Sequence, residues 1–354
     1  MAAYTTIDDP EAYFQVQLYT GNGSANHAIT LGGDTDMQPD LVWIKNRDAT
    51  DSNCLFDSAR GATNVLHSDT ETAEVTDTDT LDSFTSDGFQ VDADVKVNTN
   101  TEKYVSWNWK ANGSGSANTA GSINTTATSA NTTSKFSIMQ FTGNDTGGAT
   151  IGHGLGVVPE MVIVKSTTTY DWAVYHHKNT AAPETDYLVF NTTAATADHV
   201  QRWNDTAPSS TLITLGSNGD VNGSNAMMAY CWASVQGFMK CGSHVGNGNA
   251  DGTFVYTGFR PAFFLVKRTD STNNWHIYDN KREGFNKDGA GGNDEIAADN
   301  SGIEASSERL DFLSNGIKMR NTGGVINASG GTYVWLAIAE APFVNSEGVP
   351  CNAR

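Results

Sequence analysis

Positive charge is in short supply in this sequence. Lysine and arginine together number 21 against 40 aspartates and glutamates, a formal charge of −19 over 354 residues. A surface of that sign repels phosphate backbones, which excludes sequence-independent binding of DNA or RNA. Cysteine is nearly as scarce. Cys54, Cys231, Cys241 and Cys351 have no CxxC spacing and are too few for a disulfide framework. They read as free thiols of a chain made in a reducing cytoplasm, and nothing in the spacing supports a Cys231–Cys241 bridge. Long apolar runs are missing too. Stretches such as Leu41–Ile44 and Phe263–Val266 are far too short to cross a bilayer, so no membrane insertion is expected. The first ten residues are acidic and lack an apolar h-region, so a secretory signal is not expected. Charged residues are only 17% of the chain, and its polarity comes mainly from Ser, Thr, Asn and 35 glycines, the residues of turns and polar strand faces. Disorder throughout is ruled out by 38% hydrophobic residues, eight tryptophans among them. The length exceeds what one core usually serves, which favours two or three domains.

What is present is a threefold internal repeat. Pro39-Asp-Leu-Val-Trp-Ile-Lys45, Pro159-Glu-Met-Val-Ile-Val-Lys165 and Pro261-Ala-Phe-Phe-Leu-Val-Lys267 share one pattern. Each is preceded by an aromatic-led strand: Phe14–Tyr19, Phe136–Phe141 and Phe238–Cys241. Gly-Asn turns follow those strands at Gly21-Asn22, Gly143-Asn144 and Gly246-Asn247. A second short strand comes next, at Cys54–Ser58, Trp172–His176 and Trp275–Asp279. Ser-x-Gly turns at Ser86, Ser217 and Ser314 precede the closing strands Tyr104–Trp109, Met227–Trp232 and Tyr333–Ile338.

Short apolar runs bounded by Gly, Asn, Asp, Ser and Thr clusters predict an all-β chain of three tandem antiparallel β-sandwich, jelly-roll-like modules of about 100 residues. The expected layout is an N-terminal docking arm at 1–13, module 1 at 14–110 and an Ala/Asn/Gly/Ser/Thr-rich linker at 111–135. Module 2 follows at 136–237, module 3 at 238–343 and a C-terminal tail at 344–354. The linker composition cannot bury a core and reads as flexible or extended. The short join between modules 2 and 3 predicts that these two pack as one rigid body. Proline at the first position of a strand loses no ladder hydrogen bond, which suits Pro39, Pro159 and Pro261. Helix is confined to a turn or two within Asn191–Trp203 and, more weakly, Asp69–Asp82.

Catalytic motifs are missing. No GxSxG or HExxH occurs, and the glycines of Gly246–Gly252 lack dinucleotide spacing. His176 and His177 are adjacent on a strand, so they point to opposite faces and cannot share a metal. The acids between Asp69 and Asp94 lack the spacing of a calcium loop and read as a solvated face. The expectation is therefore no enzyme, no catalytic residue, no metal and no cofactor. Two candidate contact sites remain. Tyr4, Ile7, Pro10 and Tyr13 suit docking, and Trp203, flanked by Arg202, Asn204 and Asp205, suits a ligand or subunit contact. The tryptophans on repeated strands, Trp107, Trp109, Trp172, Trp232 and Trp275, are expected in the core.

Several strings resemble a repeat domain of tailed-bacteriophage virion proteins, best matched in marine and cyanobacterial podovirus-like phages. They include Leu18-Tyr-Thr-Gly-Asn-Gly-Ser24, Gln38-Pro-Asp-Leu-Val-Trp-Ile-Lys-Asn-Arg47, Leu55-Phe-Asp-Ser-Ala-Arg-Gly61, Gly152-His-Gly-Leu-Gly156 and Tyr256-Thr-Gly-Phe-Arg-Pro-Ala262. The resemblance spans residues 7–343 and brings no catalytic residues. It implies a β-rich tail-fibre or appendage protein, assembled in the host cytoplasm into the virion. Other virion proteins and a homo-oligomer (a trimer above all) are the implied partners, and the wealth of Trp, Tyr, Asn and Asp, which stack on and hydrogen-bond sugars, adds a host surface glycan. A capsid decoration or head-fibre protein is the alternative, and a polysaccharide-degrading tailspike the third.

Overall fold

The computed structural model describes residues 4–282, 293–307 and 309–351. Nine strands make the first unit: β1 (Phe14–Thr20), β2 (His27–Thr30), β3 (Leu41–Asn46), β4 (Cys54–Asp57), β5 (Asn64–His67), β6 (Val75–Thr76), β7 (Leu81–Thr85), β8 (Gly88–Val91) and β9 (Lys103–Trp109). The second unit holds β10 (Ser116–Asn118), β11 (Thr125–Asn131), β12 (Phe136–Thr142), β13 (Ala149–Gly152), β14 (Met161–Ser166), β15 (Trp172–His176), β16 (Asp186–Val189), β17 (Ala197–Asp198), β18 (Leu212–Leu215) and β19 (Ala226–Trp232). The third holds β20 (Met239–Val245), β21 (Phe254–Tyr256), β22 (Phe259–Arg268), β23 (Trp275–Asp279), β24 (Asn293–Ala297), β25 (Ala305–Ser307), β26 (Leu310–Leu313), β27 (Gly316–Met319) and β28 (Thr332–Pro342).

One strand order recurs in the three main sheets: β1-β9-β3-β4-β5-β6, β12-β19-β14-β15-β16-β17 and β20-β28-β22-β23-β24-β25. All the pairings within them are antiparallel. Smaller sheets, β2-β8-β7, β13-β18 and β21-β27-β26, accompany them. The fold is thus all-β, and the helices α1 (Val95–Asn98), α2 (Val200–Trp203) and α3 (Gly219–Asn222) are single turns.

The Pro…Lys strands are apolar throughout because both faces are covered. On β3, Leu41 and Trp43 join a central cluster, while Val42 and Ile44 join a separate cluster within the first unit. On β14, Met161 and Ile163 face that same central cluster, and Val162 and Val164 face the second unit's own. Period-two alternation sends successive side chains to opposite layers. The central cluster draws Trp43 and Trp107 from the first unit, Ile163 and Tyr230 from the second, and Leu265 and Leu336 from the third. Each Leu, Ile or Phe so buried contributes roughly 1.5–3 kcal/mol. The first unit is therefore not tethered loosely to a rigid pair; it shares a core with both others.

The repeated lysine is structural. Lys45, Lys165 and Lys267 are fully buried, each ammonium capping carbonyls of the loop that follows its strand. Lys165 Nζ donates to Ser166 O at 2.7 Å and Thr168 O at 2.8 Å, and Lys267 Nζ to Asn273 O at 2.6 Å. Lys45 Nζ reaches Asn46 O at 2.6 Å and Ala49 O at 3.1 Å. Burial pulls all three down to a pKa of about 8. The Gly-Asn turns have a distant clamp: Asn98, Asn222 and Asn327 donate to Asn22, Asn144 and Asn247 Oδ1 at 3.2, 3.1 and 3.0 Å. A Cβ on Gly21 or Gly143 would lie 2.1 Å from a carbonyl oxygen, which is why these turns open with glycine.

Five expectations need correction. Residues 111–135 are not a free linker: β11 pairs with β12 from Phe136 to Phe141, and β10 pairs with β11. Its small Thr, Ser and Ala side chains form a strand because the neighbouring edge supplies its hydrogen bonds. The third opening strand begins at Met239, which pairs with Ile338; Phe238 precedes it and packs on Tyr13 with ring centroids 5.9 Å apart. Pro39 and Pro159 precede their strands, while Pro261 lies inside β22 at a register shift. Ser217-Asn-Gly219 leads into α3 rather than a hairpin, because Asn218 caps that helix. No helix forms at Asp69–Asp82, whereas the turn expected within Asn191–Trp203 is there as α2.

Candidate functional site

The three units meet at three seams, and two sets of matching contacts run round them, one in each direction. Asn53 Nδ2 donates to Ala297 O at 3.2 Å, Trp172 Nε1 to His67 O at 3.1 Å and Trp275 Nε1 to Val189 O at 2.9 Å. The loop amides of Glu74, Thr196 and Glu304 reach Thr167, Thr269 and Arg47 carbonyls at 2.9, 2.9 and 3.0 Å. The side chains thus donate from the first unit to the third, the second to the first and the third to the second, while the loop amides donate the opposite way round.

The centres of the seams differ. Between units one and two, Tyr230 OH donates to Asp57 Oδ2 at 2.8 Å, and Arg60 Nε lies 2.5 Å from the same carboxylate. Between units three and one, Trp107 Nε1 donates to Asp279 Oδ2 at 3.0 Å, with Arg282 Nε 2.7 Å away. Between units two and three the corresponding residues are His176 and Asn179, and the partner position is Leu336. His176 Nε2 meets Trp335 O at 3.2 Å instead. Burial, followed by the neighbouring His177, holds this imidazole down to a pKa of about 3, so it is neutral.

The seams also differ outside the core. At the one–two seam the 111–135 segment fills the space: Ala111 N donates to Asp40 Oδ2 at 2.7 Å and Ser58 Oγ to Gly113 O at 2.6 Å. The three–one seam keeps a groove of about 230 Å³, and the two–three seam one of about 450 Å³. This last groove is the candidate site. Tyr256, half exposed, stands on its rim with the Lys240 ammonium 5.2 Å from its ring centre. Lys240 Nζ is fixed by Tyr256 O at 2.8 Å. Tyr4, Lys178, His177 and Gln236 complete the polar lining, and Glu160 is its one carboxylate among the described residues. Glu160 bonds the Ser234 hydroxyl and lies 3.9 Å from His177 Nε2. Burial lowers the His177 pKa and raises the Cys241 thiol well above its ordinary range. An aromatic face ringed by two ammoniums, an amide and a carboxylate can stack on and hydrogen-bond a polyhydroxylated ligand. A single carboxylate does not make the facing pair that glycoside hydrolysis uses.

The sequence candidates fall elsewhere, apart from one. Ile7 and Pro10 are buried against the body and Tyr13 is half-buried, so they are not a free arm. Apolar side chains on so short a segment find cover on their own protein first. Tyr4 does reach the groove: its OH donates to Gly258 O at 2.7 Å and lies 3.5 Å from Tyr256 OH. Burial and that neighbouring hydroxyl push its pKa up to about 12. Trp203 is 2% exposed, packed edge-on against Tyr175 at 6.0 Å, and cannot present a stacking face. Arg202 is paired with Asp220 and lies over the Tyr187 ring, while Asn204 and Asp205 hold left-handed turn conformations at φ 53° and 49°. The five tryptophans expected in the core are there. Sequence reading missed Tyr256, although the Phe254-Val-Tyr256 alternation carries the signal: Val255 is buried between two outward aromatics. All four cysteines are free thiols, and no cluster of three His, Cys, Asp or Glu side chains capable of holding a metal occurs among the described residues.

A family profile described as a domain of unknown function, DUF7483, matches residues 9–342. The chain belongs to the DUF7483 family. A single DUF7483 match thus runs across all three units and starts beyond Tyr4. Neither a curated protein nor a solved structure matches the chain.

Proposed function

We propose that this DUF7483 protein is a non-enzymatic structural protein of a phage particle, a tail-fibre or appendage component that contacts a host surface glycan through the groove between units two and three. The observation that carries the binding role is the exposed Tyr256 ring, held by Lys240 on the rim of a groove of about 450 Å³. Its walls belong to two units that share a core, which favours a preformed site over one assembled on binding. The virion setting rests on the sequence resemblance. In that setting a charge of −19 opposes aggregation, and weak sugar contacts gain strength from multiple copies.

The test is binding of purified protein to fragmented host envelope glycan, with Tyr256→Ala as the control. Saturable binding lost in the variant supports the reading, and equal binding by both proteins removes the groove from it. Release of new reducing ends would instead favour the tailspike alternative. A capsid decoration or head-fibre role is the second reading, and the threefold cycle of contacts favours it, since such a chain suits a threefold lattice position. Copy number in an electron-microscopy map of the particle separates the two.

A further inference from the structure

The outer edges of the three opening strands are equivalent but differently treated. Tyr13 O accepts from Lys110 N at 2.9 Å, and Trp109 O faces Asp40 N at 2.7 Å, which sets the parity of the β1–β9 ladder. By alternation, Phe14, Val16 and Leu18 direct their N–H and C=O groups away from β9. The matching groups of β12 are taken up by β11, from Phe136↔Asn131 to Gln140↔Ala127. On β20, Met239 N bonds Val235 O at 3.0 Å, Cys241 N bonds Ser234 Oγ at 3.1 Å, and His177 Nε2 lies 3.4 Å from Cys241 O. On β1 only Leu18 O is capped, by Gln17 Nε2 at 2.7 Å. The N–H groups of Phe14 and Val16 have no partner among the described residues, and the groove of about 230 Å³ runs beside them.

The far wall carries a second, independent sign. Asn280 and Lys281 occupy the positions that Ser58 and Ala59 hold at the covered seam, one and two residues past the seam aspartate. There Ser58 Oγ meets a backbone carbonyl of the covering segment at 2.6 Å. Asn280 is 5% exposed, and its Oδ1 is buried without a hydrogen-bond partner. An orphaned buried amide oxygen facing an open strand edge awaits an N–H.

We propose that the groove between β1 and Asn280 accepts an extended strand of a partner protein, antiparallel to β1 and rich in Ala, Ser, Thr, Asn and Gly. That strand would complete the first sheet as β11 completes the second. The occupant's chemistry is read from β11 and its flanks, where small side chains let the strand lie between two packed units: Thr125-Thr-Ala-Thr-Ser-Ala-Asn131. Main-chain bonds to Phe14 and Val16 supply affinity, and the absence of bulky side chains supplies selectivity.

The probe is a fluorescent synthetic peptide of residues 123–132 added to the full-length protein. The proposal expects saturable binding, slowed hydrogen exchange at the Phe14 and Val16 amides, and unchanged exchange along β12. Val16→Pro removes an edge donor without touching the β9 ladder and is expected to weaken binding at least tenfold, with some loss of melting temperature because Val16 is also buried in the core. Should that variant fold poorly, Asn280→Leu serves the same purpose from the opposite wall. No saturable binding, binding indifferent to Asn280→Leu, or a loss of exchange protection at β12 that marks displacement of the protein's own strand would each overturn it.

Discussion

The seam between units one and two and the seam between units two and three are built on the same strands and finished in opposite ways. The first is locked by a buried carboxylate that takes Tyr230, Arg60 and two backbone amides, then sealed by a hairpin. The second has a neutral imidazole and a leucine at its centre and a groove of about 450 Å³ at its mouth. Divergence within a repeat shows where closure was needed and where an opening was kept. Charge and covering strand go with closure; an exposed aromatic and ammoniums at the rim go with the opening.

The largest way to break this contrast is Asp57→Ala. It strands a buried guanidinium and is expected to lower stability by about 3–5 kcal/mol in denaturant unfolding. Asp279→Ala should behave alike, whereas His176→Ala, which leaves no charge behind, should cost distinctly less. Trp203→Ala should lower stability by a similar ~3–5 kcal/mol without changing glycan binding, since its ring fills the second unit's core. Lys165→Ala leaves loop carbonyls unanswered and should destabilise by about 1–3 kcal/mol.

Acid sharpens the comparison. The folded-state pKa of His176 lies near 3, below its ordinary 6.5. The stability it gives as a neutral group is complete above pH 6.5 and declines as pH falls from there toward 3, because the unfolded chain takes up the proton first. Hydrogen-exchange protection, corrected for the intrinsic pH dependence of amide exchange, should drop from pH 7 to pH 5 at the two–three seam before the one–two seam, and His176→Gln should abolish that order. The smallest effect on stability is expected for Tyr256→Ala, within ±0.5 kcal/mol as for other surface changes, with its consequence confined to ligand binding.

The all-β class and most strand positions are legible in the sequence because they depend on neighbours: alternation, Gly-Asn turns, short apolar runs. The Pro…Lys pattern exposes the strands that are buried twice, although the purpose of its lysine, capping the next loop, is a three-dimensional fact. Contacts between distant residues are where reading stops. Asn98, Asn222 and Asn327 hold turns 76 to 80 residues away, and no local pattern marks them. The hairpin at 111–135 hides because its composition mimics a linker while a neighbouring edge makes it a strand. Trp203 misleads for the converse reason: polar residues flank it in sequence, but a single helical turn swings its ring inward. Of the candidate site, Tyr4 alone stood out from sequence as a contact residue, for a different role.

Central to all of this is that three sheets share one apolar core. Scanning calorimetry of the full chain beside Asp279→Ala tests that directly. A single transition in both proteins, shifted downward in the variant and with equal calorimetric and van't Hoff enthalpies, is the predicted result. Separate transitions, with only one of them moved by the substitution, would contradict it.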